Sequence, residues 1–420
     1  MSNYGTGLEQ SPARRVMLHL DLDAFFCSVE ELRDPTLVGI PFAVGGSPDG
    51  RGVVASCSYA ARSFGVRSAM PMGKALALCP TLRIISSNYG DYKVASQQVM
   101  RLLHSVTPHI EQISIDEAFL DITDRGMDAM EVGYKIQSAI SSRFGLSCSI
   151  GIASNKLMAK IATDVAKSKT RAGTTPRAVL EVPRGEERAF LAPLPAGALW
   201  GVGPMTAERL ASIGMRTIGD IAMWPRDDLI RRFGKHGADL HAHAQGVDTR
   251  PISTERAAKS ISKETTFVKD VDDAGELTRT LFKQAAQVSA HLHKSHLRGS
   301  VVKIKIRWAD FTTLSRQTAM STPTDDPSAI YEAANKLLCD VWTDARPVRL
   351  IGVGVSGIAP PAQLSLWDEE PARRAEQEKK TEKALALLKA RFGEGALFRG
   401  SDLIAAESDS ATEDFFDNDW

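Results

Sequence analysis

His19-Leu20-Asp21-Leu22-Asp23-Ala24-Phe25-Phe26 decides the reading of this chain. Leu18, Leu20 and Leu22 alternate with His19, Asp21 and Asp23, the period-two pattern of a strand, and Ala24 opens a helical pattern that runs to residue 33. About ninety residues on, Ser114-Ile115-Asp116-Glu117-Ala118-Phe119 repeats the arrangement, with Ile113 and Ile115 leading in and Leu120 and Ile122 leading out. Carboxylates at the mouth of a sheet repel one another and are costly to desolvate unless a cation joins them. Where hard oxygen ligands converge, a pair of Mg²⁺ ions meets that need.

A lone Asp-x-Asp is most often a helix cap or a solvated turn. Asp23 fits that plain role, as N-cap of the helix that begins at Ala24. Asp21 belongs to the strand and fits it less well. With Asp116 and Glu117 on an adjacent strand, Asp21 completes three carboxylates that suit a two-metal site for nucleotidyl transfer.

The 420 residues are enough for two to four domains, and 43% hydrophobic with 24% charged is ordinary globular composition. Net charge is zero, but its distribution is uneven. Seven acids and no Lys or Arg fall in 401–420, leaving 51 basic and 44 acidic groups before them, a net of +7. That balance is compatible with a polyanionic partner. The five cysteines (Cys27, Cys57, Cys79, Cys148, Cys339) are widely spaced and form no CxxC, which argues against a zinc site or a disulfide framework. No signal pattern and no apolar run of membrane-spanning length is present, so a cytoplasmic, membrane-free protein is expected.

Strand–helix alternation with antiparallel pieces fills 16–180: strands 16–22, 41–45, 53–57 and 147–152, helices 71–78, 91–106, 129–144 and 155–167, and a hairpin at 110–123. From Pro183 to Gly246 short helices broken by Gly and Pro take over. A polar linker, 247–258, leads to a second α+β unit at 259–358, and a tail follows with a helical pattern at 372–392. The fold class is α+β and multidomain.

Between the acidic stretches, Tyr59 and Arg62 sit three apart in Ser58-Tyr59-Ala60-Ala61-Arg62 and would share a helix face able to clamp a triphosphate. An amphipathic helix with a surface Arg is the plain alternative. Lys156, Lys160 and Lys167 recur along helix 155–167, either as a solvated face or as phosphate contacts.

These segments resemble the Y-family (translesion) DNA polymerases of the bacterial DNA polymerase IV type. The matching stretches are DLDAFF, SYAARSFGVRSAMP, SIDEAFLDIT and GIASNKLMAKIATDVAK, in family order over 16–360. The resemblance implies a right-hand polymerase: palm (14–24 and 89–182), small fingers (25–88), helical thumb (183–246), linker (247–258) and α+β little finger (259–358). It implies Asp21, Asp116 and Glu117 as catalytic carboxylates that bind two Mg²⁺ ions, or Mn²⁺ in their place, with the backbone carbonyl of Leu22 as a further ligand. Tyr59, Arg62 and Lys167 would contact the incoming deoxynucleoside triphosphate. Phe26 would be the steric gate that excludes a 2′-hydroxyl, Phe25 packing inward; as a core aromatic Phe26 would also be physically adequate. The family usually continues Lys-Pro-x-Gly after this lysine, whereas Lys167 is followed by Ser168-Lys169-Thr170-Arg171-Ala172-Gly173.

Trp200-Gly201-Val202-Gly203-Pro204 resembles the turn of a helix-hairpin-helix, where Gly201 and Gly203 let backbone N–H groups hold a DNA phosphate. In the last unit Val302, Ile304, Ile306 and Trp308 alternate with Lys303, Lys305 and Arg307, one face core and the other a row of cations: a solvated edge strand, or, as the resemblance implies, phosphate contacts on primer-template DNA. Lys259–Glu264 and Arg349–Val355 resemble the opening and closing strands of the little finger. In the tail, Gln363-Leu364-Ser365-Leu366-Trp367 resembles the peptide by which bacterial polymerases bind the sliding clamp, with Trp in place of the usual Phe. The expectation is a monomeric, template-directed, low-fidelity DNA polymerase without a proofreading nuclease. A non-catalytic DNA- and clamp-binding scaffold is the competing class, disfavoured by the intact carboxylates. A nucleotide cyclase would share the acids but not the thumb, little finger or clamp peptide.

Overall fold

The computed structural model describes residues 15–360 except 172, 255–257 and 344. The clamp-like peptide 363–367, the helical pattern 372–392 and the acidic end 401–420 lie outside the described residues. The chain divides into two compact units, one up to residue 254 and the other from 258 onward.

In the first unit the opening pattern becomes the middle of a sheet. Strand β1 (Met17–Leu22) leads into helix α1 (Phe25–Arg33). A small sheet follows, with β2 (Phe42–Gly45) between β3 (Val54–Cys57) and β4 (Arg83–Ile85), carrying helices α2 (Tyr59–Ser63) and α3 (Met72–Leu78). Helix α4 (Tyr89–Val106) returns the chain to β5 (Ile110–Gln112) and β6 (Glu117–Asp121). Helix α5 (Ala129–Phe144), β7 (Cys148–Ala153), α6 (Lys156–Ser168) and β8 (Val179–Glu181) complete a five-stranded sheet in the order β5-β6-β1-β7-β8.

Alternation along β1 sorts its side chains between two layers. Leu18, Leu20 and Leu22 join Ile150 and Ile152 of β7 in one apolar cluster with Val99, Leu102 and Leu103 of α4 and Val132, Ile136 and Ile140 of α5. His19 and Asp21 point the other way, where α6 lies: Thr163 of α6 bonds His19 and Lys167 bonds Asp21. The sheet is therefore covered on both faces, which explains a wholly buried histidine in the strand. Helix and sheet meet closest at Gly151. A Cβ there would lie 2.0 Å from the Ala159 carbonyl oxygen and 2.5 Å from the Thr163 nitrogen. Gly151→Ala is expected to lower the thermal midpoint by overpacking worth about 1–3 kcal/mol, measured by calorimetry.

Five short helices follow: α7 (Glu187–Leu191), α8 (Pro204–Ser212), α9 (Ile218–Met223), α10 (Arg226–Phe233) and α11 (Lys235–Ala244). They share a cluster of Leu191, Leu210, Ile218, Ile221, Leu229 and Leu240 with Leu157 and Ile161 of α6. The second unit is an antiparallel sheet of β9 (Ser260–Val271), β10 (Arg298–Trp308), β11 (Thr313–Thr324) and β12 (Val348–Ala359), in the order β11-β10-β12-β9. Helices α12 (Ala274–Lys294) and α13 (Pro327–Val341) cover one face, burying Val302, Ile304, Ile306 and Trp308.

Candidate active site

Strands β1 and β6 run antiparallel with Asp21 opposite Glu117, and the Leu22 N–H donates to the Asp116 carbonyl at 2.9 Å. Register alone therefore gathers Asp21, Asp116 and Glu117 at one end of two adjoining strands. Ser114 fixes the turn before β6. Its hydroxyl accepts from the backbone N–H of Asp116 (3.2 Å) and Glu117 (3.0 Å) and donates to the Asp116 carboxylate at 2.5 Å.

Helix α6 lays its lysines over this end. Lys167 bonds Asp21 and lies 3.4 Å from Asp23, Lys160 lies 3.1 Å from Glu117, and Lys156 reaches Glu111 at 2.7 Å. Burial pushes the Asp21 carboxyl up to about 6 against the pull of Lys167, and burial likewise raises Asp116. For Lys167 burial works against the ammonium, but Asp21 and Asp23 outweigh it and hold the lysine protonated, up to about 12. The lysines share the carboxylates among separate ion pairs. Among the described residues, no group of three or more His, Cys, Asp or Glu side chains is placed to hold a metal ion. The donor set still fits a divalent cation: hard oxygens whose burial penalises their own charge, a penalty an ion would relieve.

Asp23 is not the cap of α1. Ala24 holds that position in a left-handed conformation (φ 45°), without a side-chain cap. The Asp23 carboxylate is wholly buried and accepts from Ser147 Oγ (2.7 Å), Ser149 Oγ (2.9 Å) and the Arg177 N–H (3.2 Å). Ser149 of β7 and Ser147 just before it satisfy the carboxylate, which also lies 3.4 Å from Lys167.

Tyr59 and Arg62 share a face of α2, whose Ser58 cap accepts from the Ala61 N–H at 3.2 Å. The guanidinium lies 4.8 Å above the Tyr59 ring. Burial, and then the negative charge of Asp23, push the phenol up to about 12, so it remains a neutral donor beside the carboxylates. Phe25 is buried, whereas Phe26 is partly exposed and stacks on Tyr92 at 4.3 Å with 13° between the planes. Tyr92 donates to Glu30 at 2.5 Å, and Glu30 pairs with Arg33. The sequence reading missed Tyr92; its signal was Tyr89 and Tyr92 three apart at the head of α4.

The hairpin turn closes with Val202 N–H to the Leu199 carbonyl (2.9 Å) and Gly201 at φ 97°, a conformation that requires glycine there. Gly203 caps α8 and Pro204 is its first residue, with both glycines exposed. On the open face of the second unit Lys303 is exposed, Lys305 pairs with Glu264 at 2.7 Å, and Arg307 donates to Thr313 Oγ1 at 2.9 Å. The row of cations exists, but one member is already neutralised.

The impB/mucB/samB family model covers residues 20–164, its C-terminal domain model 258–366, and a DNA polymerase-iota thumb domain model 197–248. A Desulfatibacillum aliphaticivorans protein described as DNA polymerase IV is 38% identical over 388 residues, 91% of this chain and 95% of that protein. Among solved structures, a Y-family DNA polymerase chimera is 27% identical with a TM-score of 0.73, covering 82% of this chain and 99% of its own. An insertion ternary complex of Dbh DNA polymerase is 27% identical with a TM-score of 0.58, over the same shares. The chain belongs to the Y-family of DNA polymerases and is a DNA-directed DNA polymerase of the translesion class. Its fold is that of a right-hand polymerase with palm, fingers, thumb and little finger.

Proposed function

We propose that this polymerase adds deoxynucleotides to a primer 3′-hydroxyl by two-metal transfer at Asp21, Asp116 and Glu117, with low fidelity and no proofreading nuclease. The palm is 14–24 and 89–182, the fingers 25–88, the thumb 183–246, the linker 247–258 and the little finger 259–358. The observation that carries the reading is the register of Asp21 opposite Glu117, under a helix whose lysines reach both. Two Mg²⁺ ions held by the three carboxylates and the Leu22 carbonyl would acidify the primer hydroxyl and offset charge on the departing pyrophosphate, with Mn²⁺ as substitute.

The chain's own groups do the rest. Relieved of Asp21, the Lys167 ammonium is free to turn to the triphosphate, beside Arg62 and the Tyr59 hydroxyl. The Phe26 ring, backed by Tyr92, occupies the space a 2′-hydroxyl would need. Gly201 and Gly203 offer backbone donors to the duplex, and Lys303, Lys305 and Arg307 offer phosphate contacts that do not read sequence. The ternary complex among its structural neighbours supports DNA and nucleotide as substrates. Residues 363–367 are proposed to hold the sliding clamp, and the working form to be a cytoplasmic monomer. No helix among the described residues is long and apolar enough to cross a membrane.

Primer extension on undamaged and abasic templates tests the reading. With Mg²⁺ the chain is expected to extend past the lesion, to stop when the ion is chelated, and to resume with Mn²⁺. Extension that persists under chelation would remove the metal mechanism.

A further inference from the structure

Helix α6 carries Lys160 and Lys167 to the carboxylates, and its N-terminus is tied to residues far along the chain. Its Asn155 cap accepts from the Met158 N–H at 3.0 Å and donates to the Gly246 carbonyl at 2.9 Å. The next free donor, the Leu157 N–H, gives its bond to the Asp248 carboxylate at 3.2 Å, ninety-one positions away. A helix N-terminus favours such an anion, through the unpaired N–H groups and the macrodipole.

Asp248 in turn is gripped by Arg250 through two parallel bonds of 2.8 Å, while its side chain is 1% exposed. Burial opposes the Asp248 charge, but the hydrogen bonds from Arg250 prevail and hold the carboxyl below its usual range. The Arg250 guanidinium lies 4.6 Å above the Trp200 ring, the residue immediately before the Gly201 turn. Trp200 also touches Phe119 of β6, at 5.6 Å between ring centres. Three residues beyond Arg250 the chain is pinned again, by the Ser253 N–H on Glu111 (2.9 Å), the same carboxylate that Lys156 holds. Beside the turn, a cleft of about 420 Å³ lies between Ile161, Asp164 and Ser168 of α6 and Gly197 to Val202. Turn and helix thus meet through apolar contacts and this polar chain.

We propose that Asp248 and Arg250 are positioning residues for nucleotide binding: they tie the Trp200-Gly201 turn to the N-terminus of α6, so that the turn sets where Lys167 stands. The proposal rests on the reading of Lys167 as a triphosphate contact. A bidentate, stacked guanidinium is needed, because a lysine can neither form the two parallel bonds nor lie flat on the indole.

The test is single-turnover incorporation on primer-template DNA with the full chain, comparing wild type with Asp248→Asn, Arg250→Lys, Arg250→Ala, Lys167→Met and the Arg250→Ala/Lys167→Met pair. Asp248→Asn keeps the shape and one acceptor, so it reports even where Arg250→Ala folds poorly. In the single clamp variants, the nucleotide concentration at half-maximal rate should rise about tenfold, the loss expected of a charge-assisted contact, while the DNA dissociation constant stays within about twofold. On top of Lys167→Met, Arg250→Ala should add less than about twofold, because the clamp acts through that lysine.

An unchanged nucleotide requirement in Asp248→Asn and Arg250→Ala overturns the proposal. So does a tenfold rise that persists undiminished in the double variant, or a loss confined to DNA affinity or to the fraction of folded enzyme. A Lys167→Met enzyme with an unchanged nucleotide requirement would instead remove the lysine assignment, and with it the route proposed here.

Discussion

Asp116→Asn is expected to slow nucleotide incorporation by about a thousandfold or more, while leaving the protein folded and bound to DNA. The size follows from the proposed two-metal role, in which one of three carboxylates that would organise transition-state charge is lost, an effect of several kcal/mol. Asp116 is the cleanest of the three to replace. Asp21 and Glu117 each hold a lysine, so their loss would strand a partly buried ammonium. The Asp116 carboxylate accepts from Ser114 Oγ, which an amide oxygen accepts equally well. Because burial raises the Asp116 carboxyl, the folded chain holds that proton more tightly than the unfolded one. Its ionised form therefore costs stability at neutral pH, a cost that diminishes as pH falls through the raised value. Asp116→Asn should accordingly melt no lower than wild type at pH 7 without divalent ions, and calorimetry beside the rate measurement separates lost chemistry from lost fold. Such a trade of stability for activity is common where like charges are gathered for function.

Phe26→Ala should relax discrimination against ribonucleotides by about 10–100-fold, read as the ratio of ribo- to deoxynucleotide incorporation efficiencies. Steric exclusion of one hydroxyl by a ring is worth a few kcal/mol at most when its backing is rigid. Here the backing is visible: Phe26 lies flat on Tyr92, whose hydroxyl is tied to Glu30, itself tied to Arg33. Unchanged discrimination would remove Phe26 as the gate. Phe25, buried in the core between α1 and Tyr92, should behave differently, losing stability without admitting ribonucleotides.

The first strand that carries a carboxylate was legible because Leu18, Leu20 and Leu22 alternate with His19, Asp21 and Asp23, and the second acidic stretch gave the first its meaning. Sorting Phe25 from Phe26 rested on the family resemblance, and the structure buries Phe25 while leaving Phe26 partly exposed. What escaped was contact between distant segments. Asp23 fits a helix cap by local rule, yet Ser147 and Ser149, over a hundred and twenty positions away, claim it through the adjoining strand. Asp248 and Arg250 sit in a stretch that composition marks as a linker, and only folding shows them bonded to a helix N-terminus. Lys305 reads as a free cation until Glu264, on the far side of Gly352 in the sheet, is seen to hold it. Periodicity names the face a side chain occupies; which charge it meets there depends on register between strands, which this sequence does not spell out.

The central claim is that Asp21, Asp116 and Glu117 together hold two divalent ions during synthesis. Counting bound Mn²⁺ by electron paramagnetic resonance, with a dideoxy-terminated primer, template and the correct nucleotide, tests it most directly. The account predicts two tightly bound ions per wild-type chain and a loss of at least one in Asp116→Asn at equal DNA occupancy. An unchanged count in the variant, or no tightly bound ion in wild type, would contradict it.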